Sequence, residues 1–435
     1  MARVVVAFLG LVLAAPVAAA AAEEGPARME SLAVRPEPVG VVRRADAIAA
    51  ALAGNPELRE QAWDVDASDA RIAYAGRYPN AEIGLVVEDV LGTGRYAGGQ
   101  QAQTTLELRQ PIELGGKRGA RVAAAERARS MTLADVAVKR SDVVADVARR
   151  FVRVLVAQEG LRLARAETTR ATQTLSAVRR RVEAGAGSVI ETEKATIALE
   201  RSHIATEHAE HVLLVARREL AAAWGSVDAR FERAEGDLFA RATVPPFETL
   251  AARLEGSPDV ARATSERRLR EAEAALITAR RIPDVTVGGG VRRLEGPGEQ
   301  SILFSVGVPL PFASRNAAAV TEARALVERS DASRVVTDVR LRTSLFGFYQ
   351  ELLHAEIELT ALETEVLPRT ERTLVASRDG FERGLVSYVE LLDTARTLAE
   401  VQQERVTAAG SYQQLVIEIE RLIGAPIGGG EGEAR

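Results

Sequence analysis

Between Gly119 and Glu183 the chain runs about 65 residues without a proline. Apolar residues recur through this span at spacings of three and four, first Val143, Val147, Phe151 and Val154, then Leu175, Val178 and Val182. Such spacing lines one face of a helix and is the rhythm of a coiled-coil seam. At 1.5 Å per residue a helix of this length extends roughly 100 Å, far beyond the diameter of a compact domain. The chain must therefore build an elongated body in which long helices fold back on one another. Its composition suits that, with 27 % charged and only 4 % aromatic residues, so that packing rests on Ala, Val, Leu and Ile.

The fold-back point is legible. Gly185 ends the long helix, and Ser188 caps a return helix that carries Ile190, Ile197 and Ile204 on one stripe and runs to Gly225. The same landmarks recur 199 residues later: Gly384, Ser387, Glu390 and Gly424 repeat Gly185, Ser188, Glu191 and Gly225. A second seam, Leu341, Leu345, Phe348, Leu352, Leu359, Leu362 and Val366, precedes the second turn, and Tyr412, Leu415, Ile419 and Leu422 follow it. The chain is thus read as two tandem copies of one unit, each with a long antiparallel helical hairpin. Pro368 predicts a break or kink in the second long helix, and its counterpart in the first copy is Thr169.

Each copy opens differently from how it closes. Helices over 44 to 76 and 248 to 281, interrupted at Asn55-Pro56 and Ser257-Pro258, end at Pro79 and Pro283. Period-2 alternation follows. Ile83, Leu85 and Val87 oppose Glu82, Gly84 and Glu88; Thr104, Leu106 and Leu108 oppose Thr105, Glu107 and Arg109. In the second copy Val285, Val287 and Val291 oppose Thr286, Gly288 and Arg292, and Ile302, Phe304, Val306 and Val308 oppose Leu303, Ser305 and Gly307. These are two strand hairpins, across loops Leu91 to Gln100 and Glu295 to Gln300. Four strands of about ten residues, apolar on one face, have the length and pattern of outer-membrane strands. Pro111, Gly115, Gly116, Pro309 and Pro311 mark the strand-to-helix turns. The predicted boundaries are a first copy over 23–240, with strand hairpin 81–112 and helical hairpin 117–224, and a second over 241–427, with 284–310 and 314–423. Residues 428–435 read as a disordered tail.

Residues 1–22 have the form of a secretory signal peptide: Arg3, an apolar run to Val17, then small residues to Ala22. Cysteine is absent, which excludes disulfides, thiolate chemistry, thiolate zinc sites and lipidation at an N-terminal Cys. A net charge of −5 gives no basis for nucleic-acid binding. Gly115-Gly116-Lys117 lacks the flanking Gly and Ser or Thr of a phosphate loop, and Gly288-Gly289-Gly290 opens no helix. His208 and His211 have a zinc-compatible spacing, but they fall on different heptad stripes and read as packing residues. Arg179 to Arg181 read as a solvated helix face. No catalytic arrangement, metal site or cofactor site stands out.

A four-stranded sheet with one apolar face cannot close, and an open edge in lipid costs several kcal/mol per unpaired backbone group. Several chains must pool strands, and three would give a barrel of about 12. At this point a resemblance becomes specific. Gln110 to Arg118 (QPIELGGKR), Val308 to Asn316 (VPLPFASRN), Leu367-Pro368 and Arg383 to Leu398 (RGLVSYVELLDTARTL) resemble the outer-membrane efflux channel family, in its cobalt-zinc-cadmium and copper-silver branch. The resemblance spans essentially the whole mature chain.

It implies a mainly α fold with a small β part, assembled as a homotrimer with a 12-stranded barrel in outer-membrane lipid and a helical tunnel in the periplasm. It implies two partners, a periplasmic adaptor protein and an inner-membrane proton-driven pump of the RND type. In the family the hairpin tips meet the adaptor through Arg, three residues, Gly, two residues, Ser. Arg181, Gly185 and Ser188 fit that pattern; Gly384 and Ser387 fit it too, with Gly380 in place of the Arg. Family channels tighten at the periplasmic end with acidic residues, for which Glu191 and Glu390 are candidates. First-turn acids favoured by the helix dipole are an equally simple account of both. The expected function is passive export of heavy-metal cations, with no enzymatic step. A multidrug or type I secretion conduit shares the architecture, and a periplasmic coiled-coil scaffold is the alternative of another class.

Overall fold

The computed structural model describes residues 37–310 and 315–428, so the signal peptide expected over 1–22, Pro311 and, apart from Gly428, the tail expected over 428–435 lie outside the described residues. One compact unit begins at Pro38. A short strand β1 (Gly40–Arg43) leads into helices α1 (Arg44–Gly54) and α2 (Pro56–Ala75). The proline between them starts a helix rather than interrupting one: Pro56 occupies the first turn, and the Asn55 side chain accepts the Glu57 and Leu58 amides at 2.9 and 3.2 Å. Strands β2 (Glu82–Glu88) and β3 (Gln103–Ile112) follow, then α3 (Lys117–Glu183) and α4 (Val189–Ala222).

A strand β4 (Phe231–Glu235) leads to α5 (Phe247–Arg253) and α6 (Pro258–Ala279), and the same order returns: β5 (Val285–Leu294), β6 (Glu299–Gly307), α7 (Arg315–Ala361), α8 (Leu367–Glu382) and α9 (Tyr388–Ile423). α3 is a single unbroken helix of 67 residues. Its counterpart is split by a π turn over Leu362–Val366, directly before Leu367-Pro368. Proline offers no amide to the preceding turn, and a wider turn accommodates that loss. Glu363 inside the turn is held by Arg241 at 2.6 Å and by Arg405 of α9 at 3.0 Å. At the Thr169 position the first copy continues straight, with the Thr169 hydroxyl donating to Arg165 O at 3.0 Å.

β2, β3, β5 and β6 form one antiparallel sheet in the order β2-β3-β5-β6. Ile83 faces Leu108, Leu85 faces Leu106, and Val291 faces Ile302 across the ladders. Two expectations need correction. Pro111 is not in the turn but in the last part of β3, opposite Thr286. It is tolerated there because the ladder to β2 has already ended at Arg109, so no strand on that side needs its amide. The second loop is shorter than expected, since Glu299 and Gln300 already belong to β6.

The stretch 226–247, which joins the two copies, contains β4, which pairs in parallel with β1. Gln158 of α3 completes its edge: the side chain donates to Ala234 O at 3.0 Å and accepts the Ala234 amide at 2.8 Å. Both backbone groups are thereby satisfied. Val42, Phe231 and Ala234 join Val143, Val147, Phe151 and Val154 in the largest core. A second core packs Leu341, Leu345 and Leu352 of α7 against Tyr412, Val416 and Ile419 of α9.

Three layers share one arrangement. The sheet runs β2-β3-β5-β6. Beside it the helices pack α2 on α3, α3 on α6 and α6 on α7; further along α3 they pack α4 on α3, α3 on α9, and α9 on α7 and α8. In every layer one outer member belongs to the first copy and the other to the second.

Candidate functional site: the hairpin tips and the exposed apolar faces

Both helical turns are built alike. Gly185 and Gly384 take left-handed backbone, φ +74° and +77°. Their amides donate to Val182 O and Phe381 O at 3.0 Å, and the next amides, of Ala186 and Leu385, reach Arg181 O and Gly380 O at 2.9 and 2.8 Å. These paired bonds close the helix ends, and the left-handed geometry favours glycine. Ser188 and Ser387 then start α4 and α9 as capping boxes with Glu191 and Glu390. Each acid carboxylate accepts the amide of its serine, at 3.4 Å for Glu191 and 3.0 Å for Glu390.

The two turns meet. Val178 and Leu175 of α3, Ala195 of α4, Phe381 of α8 and Tyr388 and Leu391 of α9 form one small core. Tyr388 is 2 % exposed, and its ring lies 6.2 Å from that of Phe381. Burial, with the charge of Glu191 adding to it, pushes the Tyr388 hydroxyl above its ordinary value.

Arg181 is not the solvated face expected. Its guanidinium sits 4.4 Å from the centre of the Phe381 ring, donates to Phe381 O, and donates to Ala186 O at 3.1 Å. Arg179 and Arg180 alone point to solvent. The second copy has no such residue for a packing reason: a Cβ at Gly380 would lie 2.5 Å from Val386 Cγ2. One arginine therefore clasps both turns, which the spacing pattern alone did not reveal.

The Glu390 carboxylate is held below its ordinary value of 4.5, first by the Ser387 amide and then by the Ser387 side chain. A depressed folded-state pKa contributes order above the ordinary value and loses it as pH falls through the lower, folded one. Protection of the Ser387 and Glu390 amides against hydrogen exchange is therefore expected to be full at neutral pH and to fall below pH 4.5. Glu390→Gln should weaken it at neutral pH and flatten the pH dependence. Equal, pH-independent protection in both proteins would exclude this cap.

The strand-to-helix turns lie at the opposite end of α3, about 100 Å from the tips at 1.5 Å per residue. Gly115 and Gly116 are both left-handed, with φ +71°. Leu114 N and Lys117 Nζ reach Asp284 at 3.1 and 2.6 Å, tying the turn to the start of β5. Pro309 follows β6 in exposed chain.

Large apolar side chains lie exposed in two settings. On the sheet, Ile83, Leu85, Leu108, Ile302, Phe304 and Val306 share one face, with Phe304 86 % exposed. On the outer helices, Ile190, Ile197 and Ile204 line α4, and Val335, Val336, Val339 and Ile357 line α7. Burying such side chains is worth about 1.5–3 kcal/mol each, so uncovered stripes of this length call for a covering surface. His203, His208 and His211 are exposed in the single chain, although His208 and His211 were expected to pack. His208 and His211 line one groove between α3, α4 and α9 although they sit on different heptad stripes. Among the described residues no group of three or more His, Cys, Asp or Glu is placed to hold a metal ion.

The sequence pattern of outer membrane efflux proteins matches residues 47–226 and 250–425, once in each half. The chain belongs to that family. It is 31 % identical over 388 residues to the cobalt-zinc-cadmium resistance protein CzcC of Cupriavidus metallidurans, covering 89 % of this chain and 91 % of the relative. It is 30 % identical over 301 residues to the nickel and cobalt resistance protein CnrC of the same organism, covering 68 % and 70 %. Its fold matches a crystal structure of CusC with TM-score 0.74 at 17 % identity, over 92 % of this chain and 98 % of the other. The chain is an outer-membrane protein of the efflux family.

Proposed function

We propose that three copies of the chain assemble head to tail into one conduit, and that it exports heavy-metal cations from the periplasm to the exterior. The observation that carries this reading is the shared layer order. The outer members of every layer are different surfaces, β2 against β6, α2 against α7, and α4 against α7 and α8, and the α4 and α7 edges carry the exposed apolar stripes. Two unlike edges on one molecule join heterologously, and such contacts close into a ring when the rotation allows. Four strands per chain then give about 12 in the closed barrel, which removes the unpaired edges that lipid does not tolerate.

In this reading Ile83, Leu85, Leu108, Ile302, Phe304 and Val306 face lipid, and α3, α4, α7, α8 and α9 line a periplasmic tunnel. The clasped turns at Arg181, Gly185, Ser188, Gly384 and Ser387 receive an adaptor protein that links to an inner-membrane pump of the RND type. Glu191 and Glu390 are the acids of that mouth. The cargo is a divalent metal ion by analogy with the relatives named for cobalt, zinc, cadmium and nickel resistance. The chain acts as a passage, with selectivity set by pore charge and partners.

Outer-membrane extraction followed by a cross-linked mass measurement is the test of assembly: a trimer in the detergent-soluble membrane fraction is expected. A soluble monomer or dimer would exclude the conduit and favour a periplasmic scaffold. Deleting the gene is expected to lower tolerance to zinc, cobalt or cadmium while leaving tolerance to organic drugs unchanged. The reverse outcome would reassign the cargo.

A further inference from the structure

The sheet face opposite the apolar one carries an arrangement that export as such does not require. Glu107 and Arg109 stand two residues apart on β3, both on this face, and pair with each other, Arg109 Nε lying 3.3 Å from Glu107 Oε2. Both lie down along the sheet, in opposite diagonal directions. The Arg109 guanidinium extends over Gly84 of β2, whose ladder partner is Glu107; a Cβ on Gly84 would lie 2.9 Å from Arg109 Nη2. The Glu107 carboxylate extends over Gly288 of β5, whose ladder partner is Arg109, and accepts the Ser305 hydroxyl from β6. A Cβ on Gly288 would lie 2.6 Å from Glu107 Oε1 and 2.4 Å from Ser305 Oγ.

Diagonal neighbours in a sheet are about 7–8 Å apart, within reach of long side chains only if the residue between leaves room. The two glycines leave that room. The Glu107 side chain is consequently only 12 % exposed on a face that otherwise presents polar groups.

We propose that Gly84 and Gly288 set the free width of the barrel lumen, by letting Arg109 and Glu107 lie flat on the wall as a mutually neutralised pair. This rests on the trimeric-barrel reading. Three such pairs form one level of the barrel, and with side chains at the glycines six charged groups turn toward its axis. A flat, paired layer also presents no bare carboxylate to a passing cation.

The chain contains no cysteine, so one introduced thiol reports alone. Thr286 shares the face of Gly288 and lies one pleat nearer the helical end, behind this level when approached from outside. Thr286→Cys on intact cells is treated from outside with a small charged methanethiosulfonate and, separately, with a bulky polyethylene-glycol maleimide. Both are expected to react. Adding Gly288→Leu should slow the bulky reagent by about tenfold while the small one changes less than about twofold, and Glu107→Ala in that background should restore the rate. Gly84→Leu, whose Cβ meets only the far end of the Arg109 side chain, is run in parallel with Arg109→Ala as its rescue, in case the Gly288→Leu change disturbs the strand ladder. Unchanged reagent ratios in both series, or slowing that neither alanine relieves, would overturn the role of the glycines while leaving the barrel standing. A Thr286→Cys protein unreactive from outside and recovered as a soluble monomer would overturn the barrel itself.

Discussion

Arg421→Ala is expected to lower the stability of the helical body by about 3–5 kcal/mol, the cost of leaving a buried ion partner unpaired. Arg421 lies near the end of α9 and bonds Asp142 of α3 through Nε and Asp259 of α6 through Nη1, the latter at 2.7 Å. Arg421 and Asp259 are each 14 % exposed. Burial by itself would depress the Arg421 pKa, yet the two aspartates outweigh it and hold the guanidinium above its ordinary value. The residue is therefore a fixed charge joining the two halves of the chain at one point. A drop of several degrees in the midpoint of heat unfolding in detergent is the expected result, with a smaller drop for Asp142→Asn because Asp142 is far more exposed. Equal midpoints for Arg421→Ala and the parent would remove the triad from the forces that hold the halves together.

Ile302→Arg should abolish membrane assembly, whereas Ser301→Arg, on the opposite face of the same strand, should be tolerated. Ile302 pairs with Val291 and shares its exposed face with Phe304 and Val306. An arginine facing lipid at the midplane costs about 2–4 kcal/mol, and a barrel of three chains carries the substitution three times. Yield of the cross-linked trimer in the outer-membrane fraction measures the difference. Identical yields for both variants would mean that this face does not meet lipid.

Elements whose physics is local were the readable ones. Asn55-Pro56 and Ser257-Pro258 read as interruptions, and each begins a helix through a side-chain cap. Gly185 and Gly384 mark turns because a left-handed residue is needed within a few positions of the helix end, whatever surrounds it. Strand alternation was equally plain, since one face had to be apolar throughout. By contrast β1 and β4 are only 4 and 5 residues long, too short for periodicity to register. They pair with each other across about 190 positions of sequence, and Gln158 of α3 completes the edge of β4.

The candidate tip shows the same division. Its glycines, serines and first-turn acids follow from a motif of a few residues, and their geometry is local. The Arg181 contact with Phe381 crosses 200 positions of sequence, and the reason Gly380 replaces arginine is a neighbour, Val386, that only the folded turn brings close.

The sequence by itself determined that this chain is two copies of a strand hairpin followed by a very long helical hairpin, because helix and strand periodicity, caps and prolines act over a few residues at a time. Tertiary structure alone decided which edges stay open, which arginine clasps both tips, and how charged side chains lie on the sheet. Those depend on distances between segments far apart in the chain, and no local spacing encodes them.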